Sequence, residues 1–303
     1  MHVIFMARLF FPWRQILCVK KYAVLLVVLL FIVPLSCCIG DEPRIIEISY
    51  GDIDPEYDVF EVYSPQVHDT FTVYVMMPKD YDSDHSYDVV YLLDGDWYFD
   101  DTYRIDGNGV SGIVCTLCER DVIEDVILVG VGYPVGNQRG RDFAQHPDLF
   151  YRFIKYELTD VLESRYLIDD MRSRTLIGHS SAGFFSFYVL FKGDHFFDAY
   201  VAVSTPFYDA SRLLFSDELS FYNRFGDERL DLRLFMAVGG DEEDRFTSAH
   251  DDMVARLEAK DYDGMALEHR IYYGRNHTSV VFDAFLDGLA WTLAGVDDVV
   301  IIE

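Results

Sequence analysis

Six apolar runs, at residues 88–94, 126–133, 174–179, 198–204, 231–239 and 266–273, recur along this chain, separated by segments whose apolar residues repeat at helical spacing. Runs such as VILVGVGY and RTLIGH are too continuous for strands with one wet face, and read as strands buried on both faces. The helical pattern is clearest in LFYRFIKYELTDVLESRYL (149–167), where Phe150, Ile154, Leu158, Val161 and Leu162 share one face. Strand alternating with helix predicts an α/β fold whose central sheet is mostly parallel with helices on both faces. Upstream, RIIEISY, DVFEVYS and FTVYVMMP lie between turn-forming residues, and they predict antiparallel lead-in strands at one sheet edge. No Pro- or Gly-rich linker and no internal repeat interrupts residues 41–303, so one domain is expected there.

Half of the 303 residues are apolar, enough for a sizeable core, and Asp plus Glu outnumber Lys plus Arg by 52 to 25. The resulting formal net charge of −27 repels polyanions and excludes nucleic acid as a natural partner. The acidic residues are dispersed, which fits either a salty medium that screens their repulsion or ordinary surface solubilisation. Residues 20–38, KKYAVLLVVLLFIVPLSCC, have the layout of an export signal: a charged start, an apolar core, then small residues. The apolar run is shorter than the roughly 20 residues a membrane-spanning helix needs. The LSCC ending resembles a lipoprotein lipobox, with Cys37 or Cys38 as the lipidated residue. Residues 1–38 are therefore expected to export the chain as an envelope lipoprotein or secreted protein, with any membrane attachment made through that N-terminal anchor. Cys115 and Cys118, in CTLC, are expected to be buried or bridged structural thiols, a poor metal site without further His or Cys ligands.

The stretch TLIGHSSAGFFSFYVLF (175–191) carries the chemistry. An apolar strand, a tight turn and an apolar helix around a Gly-x-Ser pattern form a nucleophile elbow, in which strain holds a serine hydroxyl above the sheet. Two registers fit. Ser180 has Gly178 and Ala182 as flanks, whereas Ser181 has His179 and Gly183. Since the turn crowds the backbone on both sides, a bulky His two residues before the nucleophile clashes and Ser180 is preferred. The plainer alternative is a glycine-containing helix start with Ser180 as its N-cap. Against it, an acid cluster, GDEED (240–244), closes the penultimate strand, and His277 in GRNHTS follows the last one. Ser, acid, His is the α/β-hydrolase order, with the imidazole as base and a carboxylate orienting it. His179, His250 and His269 are expected in packing or surface roles.

Taken together, VVYLLDGDWYF (89–99), VGVGYP (129–134) with RGRDF (139–143), FIKYELTDVLESRY (153–166), the elbow, FFDAYVAVSTP (196–206) and NHTSVV (276–281) resemble the "Putative esterase" family of the α/β-hydrolase superfamily. Its branch of siderophore trilactone esterases looks nearest; feruloyl esterases and mycolyltransferases are other members. The resemblance implies the α/β-hydrolase fold, Ser180 as nucleophile and His277 as base. Its Gly-x-x-acid spacing points from Gly240 to Glu243 as the triad acid, with Glu242 the alternative if counted from Gly239. It implies oxyanion donors at the N–H groups of Ser181 and Asp96, and Trp97 in the substrate pocket. Ala182 departs from the family's usual glycine. Arg141 is expected to pair with Asp142 or another loop carboxylate rather than act in catalysis. The implied protein is a serine carboxylic ester hydrolase working through an acyl-enzyme on a small-molecule ester, without metal or organic cofactor. Acyl transfer on the same groups and an inactive binding protein are the alternatives, and the oligomeric state is left open.

Overall fold

The computed structural model describes residues 42–47, 57–82, 84–100, 109–166, 173–208 and 211–294, so the export segment expected at residues 1–38 lies outside the described residues. Among the described residues, nine strands form a single sheet: β1 (Arg44–Glu47), β2 (Asp58–Ser64), β3 (Asp69–Met76), β4 (Asp88–Leu93), β5 (Val126–Val131), β6 (Arg174–His179), β7 (Ala199–Val203), β8 (Leu232–Gly239) and β9 (Met265–Tyr272). Their order is β1-β2-β3-β5-β4-β6-β7-β8-β9. The first three pair antiparallel and β3 meets β5 antiparallel, while every pairing from β5 onward is parallel. This is the mostly parallel sheet with antiparallel lead-in strands expected from the alternating runs, and it agrees with the α/β-hydrolase fold that the resemblance implied.

Continuous apolar runs give this sheet because consecutive residues supply opposite faces. In β4, Val89, Tyr91 and Leu93 enter one core, and Val90 and Leu92 enter the other. The same division holds for Tyr200 and Ala202 against Val201 and Val203 in β7. Helices α2 (Val110–Glu119) and α8 (Val281–Leu293) cover the second face. The first is covered by α3 (Pro147–Arg152), α4 (Thr159–Arg165), α5 (Ser181–Lys192), α6 (Ser211–Phe225) and α7 (Asp244–Lys260).

The single helix expected over 149–167 is instead interrupted by a π-helical segment, Phe153–Leu158, between α3 and α4. Wider turns re-aim side chains. Here the buried Glu157 accepts Ser64 Oγ at 2.5 Å and the Gln66 N–H at 3.1 Å, tying the segment to the β2–β3 hairpin. The cysteines also depart from expectation. Cys115 and Cys118 lie on α2 with no disulfide between them, the first exposed and the second half-buried. They occupy one turn near the rim of the helix, where Cys115 Sγ rests 3.9 Å from Met76 Sδ.

Candidate active site

Parallel strands leave their carboxyl ends at one edge of the sheet, where α/β folds assemble their sites. Strand β6 delivers Ser180 there. Its backbone is held at φ 59° and ψ −119°, a conformation non-glycine residues rarely adopt, immediately before α5. The turn is so tight that a Cβ on Gly178 would sit 2.7 Å from the Ala182 carbonyl carbon and 2.8 Å from the Ala182 Cβ. Glycine is thus required two residues before Ser180, and the alanine two residues after it fits into the space that glycine leaves. That is the Ser180 register. The Ser180 N–H donates to Val203 O at 2.8 Å, anchoring the elbow to β7.

His277 follows β9 on a loop built by Asn276, whose Oδ1 accepts the N–H groups of Thr278 and Ser279. This loop is stitched to the acid-bearing one, because the Asp241 N–H donates to Arg275 O at 2.9 Å. A Cβ on Gly239 would approach that same carbonyl oxygen to 2.4 Å, so the two loops meet only over a glycine. His277 Nε2 lies 3.0 Å from Ser180 Oγ and Nδ1 lies 2.6 Å from Glu242 Oε2. A carboxylate only accepts, so Nδ1 carries the hydrogen and Nε2 offers its lone pair to the serine hydroxyl.

The acid beside His277 is therefore Glu242, and the first-choice residue, Glu243, is displaced from the site. The Glu243 side chain is 70 % exposed and pairs with Arg245 at 2.8 Å, whereas that of Glu242 is 1 % exposed. The reason is a tight turn closing β8, in which the Glu242 N–H reaches back to Gly239 O at 3.2 Å and swings its side chain inward. Burial alone would raise the Glu242 pKa. Hydrogen bonds from His277, Ser204 and the Gly239 N–H outweigh it and hold the carboxyl below its usual range.

Two tilted rings pack against the imidazole of His277: Phe246 with its centroid 4.8 Å away and His179 at 4.6 Å. His179 is buried, and burial with His277 beside it pushes its pKa down to about 3, so it packs there as a neutral ring. Its Nδ1 meets the Tyr98 hydroxyl at 3.0 Å.

The two residues expected to supply oxyanion donors each sit at a helix start. Ser181 opens α5 and Asp96 is in the first turn of the short helix α1 (Gly95–Tyr98), and N–H groups in a first turn have no acceptor within their own helix. Strands β4 and β6 are adjacent and parallel, so the two helix starts share one end of the sheet. The Asp96 carboxylate faces away into structure, accepting the Tyr74 hydroxyl at 2.7 Å and the Tyr133 N–H at 2.5 Å. Trp97 stands 41 % exposed on the same turn, edge-on to Tyr133 at 5.3 Å.

Arg139, which the sequence reading passed over, lies 4.7 Å above the Trp97 ring and grips the buried Asp94 with two bonds of 2.8 and 2.7 Å. Burial opposes its charge, but Asp94 overcomes that and holds the guanidinium pKa above its usual value. Tyr133 also donates its hydroxyl to Asp94. Arg141, by contrast, pairs with Asp142 and Asp69, both at 2.7 Å, as expected.

The family model for esterases, described as "Putative esterase", matches residues 64–284, which include every group named above from Ser180 to His277. The chain belongs to that family. As an esterase of this family it is a carboxylic ester hydrolase. It is 24 % identical over 257 residues to the ferri-bacillibactin esterase BesA of Bacillus subtilis, a match covering 75 % of this chain and 86 % of that protein. Among solved structures it resembles the BES protein from Bacillus cereus, with TM-score 0.70 and 24 % identity over 82 % of this chain and 98 % of the other. It also resembles an IroE-like serine hydrolase from Shewanella oneidensis, with TM-score 0.67 and 21 % identity over 78 % and 80 %. The esterase thus shares a fold with these proteins.

Proposed function

We propose that this esterase hydrolyses its substrate through a covalent acyl-enzyme formed on Ser180. The observation that carries the reading is the line of hydrogen bonds from Ser180 Oγ through His277 to Glu242, at 3.0 and 2.6 Å. As Ser180 Oγ attacks the acyl carbon, its proton passes to His277 Nε2, and Glu242 keeps the ring in place and steadies the imidazolium. The oxygen that gains charge is received by the N–H groups of Ser181 and Asp96. The alcohol leaves with the proton from Nε2, and water then repeats the attack with His277 as base again. The name of one relative, a ferri-bacillibactin esterase, and the resemblance to siderophore trilactone esterases guide the substrate: ester bonds of a siderophore lactone are the first to be tried, beside aryl esters that would rest on Trp97 and Tyr133. Fluorophosphonate labelling tests the chemistry. Wild type and Ser181→Ala, which keeps the backbone N–H, are expected to label, and Ser180→Ala is not. Labelling that survives in Ser180→Ala and is lost in Ser181→Ala would refute the assignment.

A further inference from the structure

The proposed triad leaves a buried hydroxyl, that of Ser204, unused at the junction between nucleophile and acid. Ser204 directly follows β7, and its Oγ donates to Glu242 Oε1 at 2.5 Å. That oxygen also accepts the Gly239 N–H at 2.7 Å, leaving Oε2 for His277. The Ser204 backbone lies at φ 49°, in the left-handed region that side-chain-bearing residues seldom occupy. Its N–H donates to Ala237 O at 2.7 Å, which fixes the residue between β7 and β8. One position earlier, the Val203 carbonyl accepts the Ser180 N–H. Two consecutive residues therefore hold both ends of the triad, one gripping the backbone of the nucleophile and the other the side chain of the acid.

We infer that Ser204 is a positioning residue of the esterase reaction, its hydroxyl setting the Glu242 carboxylate so that Oε2 meets His277 Nδ1. The inference rests on the Ser180–His277–Glu242 reading above. The last torsion of a glutamate side chain is broad, so a carboxylate held only by one backbone N–H turns within its pocket. Two donors on one oxygen stop that rotation. They also stabilise the charged form, in a place where the titratable groups facing Glu242 are His277 from the loop after β9 and His250 from α7. With the hydroxyl removed, the Glu242 carboxylate loses one of the bonds that favour its charged form and takes up a proton at higher pH.

The test is the pH dependence of the second-order rate of fluorophosphonate labelling in Ser204→Gly and Ser204→Ala. Glycine suits a φ of 49°, so the first variant keeps the backbone while losing Cβ with the hydroxyl, and the second keeps Cβ and loses the hydroxyl alone. The labelling rate at neutral pH is expected to fall about tenfold in both variants, the usual scale for losing a hydrogen bond to a charged group. The acid limb of the profile is expected to move to higher pH. Wild-type rates, or slower labelling with an unmoved acid limb, would overturn the role assigned to Ser204 while Ser180→Ala stays unlabelled. Full labelling of Ser180→Ala would instead overturn the triad reading on which the inference rests.

Discussion

His277 is the most constrained side chain of the site. Glu242 and Ser180 hold its two nitrogens, and Phe246 and His179 pack against the ring at a tilt. Such a ring gains little by moving, so its tautomer is set by the carboxylate rather than by solvent. Exchanging Glu242 for Gln keeps the shape and removes the charge, and an amide N–H against Nδ1 favours the wrong tautomer. Glu242→Gln is expected to lower kcat about 10³-fold or more with any ester that the wild type turns over. Glu243→Gln should stay within about twofold of wild type, since an exposed pair with Arg245 contributes little. Equal losses in the two variants would contradict the assignment. Ser180 and His277 were legible in the sequence because each follows a strand in a recognisable turn. The residue that meets His277 is the second choice, Glu242, because counting along GDEED cannot reveal the turn at Gly239 that points it inward. Arg139 and Ser204 were not found at all, because their partners Asp94 and Glu242 lie about forty residues away in the chain.

At the scale of elements, the elbow and the sheet explain each other. A strand buried on both faces must end abruptly to expose a hydroxyl, and the turn that does so brings Gly178 against Ala182. Gly178→Ala would place a methyl group within 2.8 Å of the Ala182 carbonyl oxygen, both of them held by strand and helix. Overpacking of this kind costs about 1–3 kcal/mol, and the variant is expected to melt earlier and to label with fluorophosphonate far more slowly. Ala182→Gly adds no contact and is expected to retain labelling within a few-fold, at a cost of about 1 kcal/mol in helix propensity. Thermal melts paired with labelling distinguish the two, and a wild-type melt and rate for Gly178→Ala would refute the crowding argument. The strands were readable because two-sided burial leaves a continuous apolar run, and β6 has the same bounds as the RTLIGH run. The π-helical segment was not readable. Its residues keep helical spacing, and only the buried contact of Glu157 with Ser64 and Gln66, made across the fold, selects the wider turn.

The whole molecule carries a net charge of −27, and the structure shows how its few cations are used. Arg139, Arg141, Lys155, Arg256, Arg270 and Arg275 each lie within 2.8 Å of a carboxylate. Committed in this way, they leave the chain with Asp and Glu in large excess over its cations. Repulsion within that excess opposes the compact state, and it is screened once the Debye length falls from about 30 Å at 0.01 M salt to below about 10 Å. Folding should therefore tighten as salt is added at neutral pH. The melting temperature is expected to rise by at least about 3 °C between 10 mM and 500 mM sodium chloride, roughly 1 kcal/mol for a domain of this size. Choline chloride should match sodium chloride, because screening depends on ionic strength and not on the identity of the cation. A flat or falling melting temperature in both salts would show that the acidic excess costs the fold nothing, and a rise confined to sodium would point to bound ions in place of screening.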